Sequence, residues 1–220
     1  MNLEKYIDHT FLKPNGTPAD IAKLCREAKK FGFASVCVHP CEVARCAKLL
    51  KGTAVEVCTV IGFPLGQNTP TTILYEAMEA LEAGAKELDF VVNVNELKVA
   101  VKKSAIDELA KRWRFIIDAV KGLRSDAVTK LIIECCYLTD EEKVAACKMA
   151  KSAGFDFVKT STGFGSGGAT VADVKLMRKT VGKKMGVKAA GGIRTKADAL
   201  AMIAAGATRL GCSAGVAIVS

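Results

Sequence analysis

Lys159 and Lys188 each close a short apolar run, Phe157-Val158-Lys159 and Gly186-Val187-Lys188, and a third run, Glu87-Leu88-Asp89, closes on a carboxylate. A free lysine amine has a pKa near ~10.4, so at neutral pH it is protonated and non-nucleophilic. Desolvation and a neighbouring cation both depress that value. Two lysines in one pocket meet both conditions, because each supplies the other's cation. The neutral amine can then attack an aldehyde, and the resulting iminium draws electrons from an adjacent carbon–carbon bond. A carboxylate such as Asp89 would carry the protons. Spacing alone does not say which of the two lysines is the nucleophile.

Other apolar runs end in the same manner: Asp8 and Thr10 in the first, Cys37 and His39 in the second, then Gly62, Glu134, and Gly211 with Ser213. Glycines follow several of them. Gly163, Gly165, Gly167 and Gly168 come after the sixth run, Gly191 and Gly192 after the seventh, and Gly211 ends the eighth. Backbone N–H groups in such turns can hold a phosphate. Arg194 and Ser213 would add side-chain donors.

These residues do chemistry together only if the elements carrying them converge. Strands are expected at 6–11, 34–38, 54–60, 86–92, 129–133, 156–160, 186–190 and 208–211, and each of the first seven precedes a segment with apolar residues at helical spacing. Between Ala19 and Phe31, for example, Ile21, Leu24, Cys25 and Ala28 share one face. Thr17-Pro18 opens that helix and Gly32 closes it, while Thr139-Asp140-Glu141-Glu142 reads as a capping box ended by Gly154. The alternation gives an α/β protein with parallel strands. Eight strand–helix units with no linker favour a single (β/α)8 TIM barrel over residues 1–220 rather than an open doubly wound sheet. In a barrel the carboxyl ends of all eight strands face one site.

Composition narrows the function classes. The chain has 220 residues and a net charge of +9, with basic residues scattered along its length, one Trp and three Tyr. Nothing resembles a basic arm interleaved with stacking aromatics, so a nucleic-acid partner is not expected and a small phosphorylated substrate is. No run approaches the ~18 apolar residues of a membrane span, and the amino terminus lacks a secretory pattern. Nine cysteines without a CxxC pair, and two histidines, His9 and His39, point to reduced thiols in a cytoplasmic protein without a metal centre.

Several segments together resemble the deoxyribose-phosphate aldolase family: Ile7-Asp8-His9-Thr10-Phe11-Leu12-Lys13-Pro14, Val60-Ile61-Gly62-Phe63-Pro64-Leu65-Gly66, Glu87-Leu88-Asp89, Phe157-Val158-Lys159-Thr160-Ser161-Thr162-Gly163-Phe164 and Gly186-Val187-Lys188-Ala189-Ala190-Gly191-Gly192-Ile193-Arg194-Thr195. The similarity runs from about Tyr6 to Val219. It implies a metal-free, cofactor-free class I aldolase that reversibly cleaves 2-deoxy-D-ribose 5-phosphate into acetaldehyde and D-glyceraldehyde 3-phosphate. By motif match it makes Lys159 the Schiff-base lysine, Lys188 the lysine that lowers its pKa, and Asp89 the proton relay. It sets Asp8, Thr10 and Cys37 near the substrate, Lys130 near Asp89, and Gly163, Gly191, Gly192, Arg194, Gly211 and Ser213 around the phosphate.

The chain departs from the family pattern in three places. His39 stands where Asn is usual and is expected to serve as a hydrogen-bond partner. Ala214 replaces a second Ser, which removes one phosphate donor. The chain stops at Ser220, where members commonly run on to a tyrosine, so slow proton exchange at the acetaldehyde methyl carbon is expected unless the sequence is a truncated form. The eighth helix has only Ser213 to Ser220 to draw on, at most ~12 Å of helix. It should leave its strand partly bare, with the first and seventh helices compensating and the exposed strip available for a homodimer or higher homo-oligomer. The rival readings are another phosphate-binding barrel, such as a sugar-phosphate isomerase with a carboxylate base, and a catalytically inert barrel kept for binding.

Overall fold

The computed structural model describes residues 2–220. Eight parallel strands, β1 (Ile7–Thr10), β2 (Ser35–Val38), β3 (Glu56–Ile61), β4 (Glu87–Val91), β5 (Val128–Ile132), β6 (Phe157–Lys159), β7 (Gly186–Ala190) and β8 (Arg209–Cys212), pair in chain order. β8 returns to β1 and closes the barrel, with Asp8 beside Gly211. Each expected strand is present within two residues at either end. The helices are α1 (Pro18–Phe31), α2 (Val43–Leu50), α3 (Pro70–Glu82), α4 (Val94–Lys102), α5 (Ile106–Leu123), α6 (Asp140–Ala153), α7 (Val171–Val181), α8 (Lys196–Ala204) and α9 (Gly215–Val219). Two helices, not one, follow β4.

Threonines start most of the helices that leave the site. Thr17, Thr69, Thr139, Thr170 and Thr195 each accept a backbone N–H from the first turn of the helix they precede. Thr17, Thr139 and Thr195 complete reciprocal capping boxes with Asp20, Glu142 and Asp198. Gly32 and Gly154 end α1 and α6 in the left-handed conformation, as their positions in the sequence foretell. These caps fix where each loop over the barrel mouth stops.

Parallel strands under a helical shell are buried on both faces. Val36, Leu88, Phe90, Leu131, Val158, Val187 and Leu210 point outward into one continuous apolar layer against the helices. Inside, the barrel is divided. Cys37, Cys58 and Val60 on β2 and β3 pack with Leu12 in a small apolar cluster of their own. The side of β1 and β4 to β8 is filled by ionised groups instead.

The expected bare strip beside the last helix is not found. Ile218 is fully buried, and Val216 and Val219 pack against the core. The short α9 lies on β1, α8 and a 3-10 turn at Leu3–Tyr6, so an N-terminal turn, rather than α1, supplies the missing cover. Among the described residues no helix is long and apolar enough to cross a membrane.

Candidate active site

The interior charges come from alternate positions on neighbouring strands. In parallel register Asp89 lies beside Lys130, and Lys159 beside Lys188. Asp89 is fully buried and collects three ammonium groups: its Oδ1 accepts from Lys130 Nζ at 2.8 Å, and its Oδ2 from Lys159 Nζ and Lys188 Nζ, both at 2.7 Å. Lys130 also donates to Glu87 at 2.6 Å. Lys188 Nζ lies 2.5 Å from Asp8 Oδ2, a charge contact off the hydrogen-bonding angle. Cys58 Sγ donates to Asp89 Oδ1 at 3.2 Å.

Room for Lys188 comes from a missing side chain. A Cβ on Gly211 would lie 3.0 Å from Lys188 Cε and from Ala190 Cβ. Gly186 does the same lower down, where a Cβ would fall 2.2 Å from the Phe157 ring. That ring sits under Lys130 and Arg209, at 6.0 and 5.5 Å from its centroid.

Burial opposes charge on every one of these groups, so partners decide their ionisation. Desolvation works against the Asp89 carboxylate, yet Lys130, Lys159 and Lys188 hold it well below the usual range. Asp8 is likewise held low against its burial, chiefly by Lys188 and Arg209. Desolvation works against the Lys188 ammonium, but Asp8 and Asp89 outweigh it and hold the proton well above the ordinary lysine value. Lys130 is raised in the same way, with Asp89, Cys58 and Glu87 prevailing over burial. The structure thus supplies a fixed cation next to Lys159.

Above this layer a cavity of about 320 Å³ opens at the carboxyl ends of the strands. Its wall includes Thr10, Lys159, Gly163, Gly191, Gly192, Arg194, Gly211 and Ser213, eight of the thirteen residues the sequence points to. Asp8, Cys37, Asp89, Lys130 and Lys188 lie beneath it. Of the buried lysines Lys130, Lys159 and Lys188, only Lys159 reaches the cavity. Cys37 is wholly buried on the apolar side, and a hydrogen bond from Cys58 is the main influence lowering its thiol pKa against the effect of burial.

The glycines expected at the phosphate have left-handed backbones, Gly163 at φ 88°, Gly191 at 86° and Gly192 at 81°, which side chains would strain. A Cβ on Gly168 would meet the Gly191 carbonyl oxygen at 2.4 Å, so the loop after β6 lies directly on the loop after β7. Arg194 and Ser213 are exposed on the same wall. His39 fills its expected role, Nε2 lying 3.0 Å from the Leu12 carbonyl, which requires that nitrogen to carry the hydrogen.

Some site residues escape a reading of strand ends. Arg209 and Glu87 begin their strands rather than end them, and Cys58 sits in mid-strand. Lys13 lines the cavity from the β1 loop. Glu134, recognised as a strand-end acid but given no role, is buried in a left-handed conformation. It accepts from the Thr162 amide at 3.1 Å and from the Thr162 hydroxyl. It thereby anchors the loop that carries Gly163 and Phe164, whose ring packs edge-on to Phe63 at 5.2 Å.

Comparison with known proteins agrees with this geometry. Residues 3–220 match the model of the DeoC/LacD family aldolases. The chain is 58% identical over 219 residues to a deoxyribose-phosphate aldolase of Thermoanaerobacter sp., covering 100% of this chain and 96% of that one. It is 54% identical over 220 residues to that of Enterococcus faecalis, covering 100% and 97%. Among solved structures, a tetrameric deoxyribose phosphate aldolase from Aeropyrum pernix superimposes with a TM-score of 0.88 at 34% identity, over 98% of this chain and 88% of the other. With eight parallel strands, a buried lysine reaching the mouth of the barrel and a family match from residue 3 to residue 220, this chain belongs to the DeoC/LacD family of aldolases.

Proposed function

We propose that the chain, acting as one aldolase domain, is a deoxyribose-phosphate aldolase that cleaves 2-deoxy-D-ribose 5-phosphate to acetaldehyde and D-glyceraldehyde 3-phosphate. The observation that carries this reading is the single buried ammonium at the cavity floor, Lys159, 2.7 Å from a carboxylate that it shares with Lys188 and Lys130. As a neutral amine Lys159 attacks the C1 aldehyde of the open-chain sugar. Loss of water leaves an iminium. The C3 hydroxyl gives up its proton, the C2–C3 bond breaks, and its electron pair moves into the iminium to form an enamine as glyceraldehyde 3-phosphate departs. Protonation of the enamine carbon and hydrolysis return acetaldehyde and the free amine. Asp89 handles the protons, since its Oδ2 already touches Lys159.

Thr10, Gly163, Gly191, Gly192, Arg194, Gly211 and Ser213 hold the sugar phosphate along one wall of the cavity, Asp8 and Lys130 act from below by holding Lys188 and Asp89, and Cys37 shapes the apolar side beneath it. No metal or cofactor is required, because the iminium is the electron sink. Two donor sets could be imagined for an ion, Cys37 with Cys58 and Asp89, and Asp8 with Cys58 and Glu87. Their carboxylates are already engaged by Lys130, Lys188 and Arg209. The nine free cysteines fit a reducing cytoplasm, and a homo-oligomer is in keeping with the tetramer formed by the Aeropyrum protein.

Borohydride reduction in the presence of acetaldehyde tests the proposal. Peptide mapping should find an ethyl group on Lys159 alone, with activity unchanged by EDTA. Labelling of Lys188 with none on Lys159 would reverse the assignment, and no label at all would refute the mechanism.

A further inference from the structure

The charges inside the barrel form a closed circuit. Asp8 meets Lys188 at 2.5 Å, Lys188 meets Asp89 at 2.7 Å, and Asp89 meets Lys130 at 2.8 Å. Lys130 meets Glu87 at 2.6 Å, Glu87 meets Arg209 at 2.9 Å, and Arg209 returns to Asp8 at 2.7 Å. Carboxylate and cation alternate all the way round, three of each, so the circuit is neutral. Lys159 stands outside it, joined only at Asp89.

We propose that Arg209 and Glu87 are positioning residues that complete this neutral ring and thereby make Lys159 the one surplus cation of the barrel interior. This rests on Lys159 being the nucleophile. With Lys159 protonated, the seven groups sum to four positive and three negative charges. With Lys159 neutral they balance. A net charge in a volume of low dielectric is costly, and the cheapest proton to release is the one held by a single partner. Lys188 and Lys130 each answer to two carboxylates and Arg209 does not deprotonate, so the loss falls on Lys159.

Groups on every surrounding strand take part. Lys159 touches Asp89 of β4, and the barrel interior around that contact holds Glu87 from β4, Lys130 from β5, Lys188 from β7, Arg209 from β8 and Asp8 from β1, with the thiols of Cys37 and Cys58 on β2 and β3. Glu134 is engaged by Thr162. Arg209 contacts neither the cavity nor Lys159. Its guanidinium enters from the amino ends of the strands over the Phe157 ring, and its side chain is 15% exposed. Its influence is therefore exerted through the ring, by offsetting the negative charge of Asp8 and Glu87 that would otherwise bear on the lysines.

Two substitutions should move the Lys159 proton in opposite directions. Arg209→Met leaves the interior one charge more negative, so Lys159 keeps its proton to higher pH. Glu87→Gln leaves it one charge more positive, so Lys159 releases its proton at lower pH. The quantity to measure is the pH dependence of the rate at which acetaldehyde forms the borohydride-trapped adduct on Lys159. The acidic limb should move up by about one pH unit in Arg209→Met, about tenfold in rate below the limb, and down by a similar amount in Glu87→Gln. Arg209→Lys should restore the parental profile, because one Nη1 atom makes both of the contacts. The double variant Arg209→Met/Glu87→Gln should fall close to it.

A purely structural role would slow all the variants without moving the limb. If the limbs stay put, or both move in one direction, while Lys159 is still labelled, the ring proposal is overturned and the aldolase reading stands. If the unaltered protein forms no adduct, the aldolase reading itself has failed. Should Arg209→Met not fold, the downward shift in the near-isosteric Glu87→Gln decides the matter alone.

Discussion

Beneath the cavity, every ionised side chain is held by an opposite charge. Along the rim above β7 and β8, the side chains of Arg194 and Ser213, and of Lys13 on the adjoining loop after β1, make no hydrogen bond or ion pair among the described residues. The first region is saturated and buried, the second open and lined by backbone. Saturation fixes protonation states and positions before any substrate arrives, which is what proton transfer and amine attack need. Open donors are what an anion needs, because they are satisfied only when it is bound. The division therefore separates catalysis from recognition, and each side of it can be tested by the kinetic constant it controls.

The largest effects belong to the floor. Lys159→Met should abolish turnover and the borohydride adduct together, while ligand still binds. Asp89→Asn should lower kcat by about 10²- to 10⁴-fold, the usual contribution of a placed proton carrier. Steady-state kinetics with titration of a non-cleavable sugar phosphate would check both. An Asp89→Asn enzyme whose loss lay wholly in KM would put the carboxylate on the recognition side instead.

Lys188→Leu comes next. The cation removed is one that Asp8 and Asp89 hold protonated far above neutrality, so its charge is present throughout the working pH range. Without it Lys159 keeps its own proton to higher pH. The acidic limb of kcat/KM should therefore shift upward by about one to two pH units, about 10- to 100-fold at neutral pH, with the alkaline side much less affected. An unmoved limb would mean that Lys188 only fills space.

On the rim, Arg194→Ala should raise KM for the phosphorylated substrate by about tenfold or more, the worth of a charged hydrogen bond. Comparison with 2-deoxy-D-ribose isolates the phosphate, since the unphosphorylated sugar should lose little. Equal losses on both substrates would show that Arg194 supports the loop rather than the anion.

The rim and the floor were also unequally legible in the sequence. Gly163, Gly191 and Gly192 announce themselves by residue type, and their left-handed conformations explain why glycine is there. Asp89, Lys159 and Lys188 are visible because an ionisable residue closing a short apolar run is conspicuous, although only Lys159 ends its strand, while Asp89 and Lys188 sit at the middle of β4 and β7. Their ranking came from the motif resemblance, for spacing could not tell the two lysines apart; the structure separates them, since Lys159 reaches the cavity and Lys188 does not. Arg209 and Glu87 stayed hidden because a charge at the start of a strand normally reads as a solvated loop end. That it turns inward instead depends on the stagger of a closed barrel, a property of eight strands together. The split of β4's return into α4 and α5, and the N-terminal turn covering β8, were likewise settled by packing rather than by local pattern.

Lys13 is the subtlest test of the division. It follows the Asp8-His9-Thr10 strand by three residues, is exposed, and lines the cavity from the loop after β1, beside the loop that carries Ser213. Its position makes it a rim residue, and its chemistry agrees: a flexible ammonium in water offers a diffuse attraction for phosphate rather than a fixed contact. Exposed charge pairs are weak, so Lys13→Ala should raise KM for the sugar phosphate only about two- to fivefold at low salt and leave kcat unchanged. Because the Debye length is about 8 Å at physiological ionic strength, added salt should shrink the difference between parent and variant, whereas the Arg194→Ala defect should persist. KM measured for both variants across a salt series gives the comparison directly. A salt-insensitive loss in Lys13→Ala would mean that the loop closes over the substrate and desolvates this lysine on binding. A fall in kcat matching that of the floor variants would mean that the loop after β1 takes part in the chemistry, and the boundary between floor and rim would have to be drawn above Lys13.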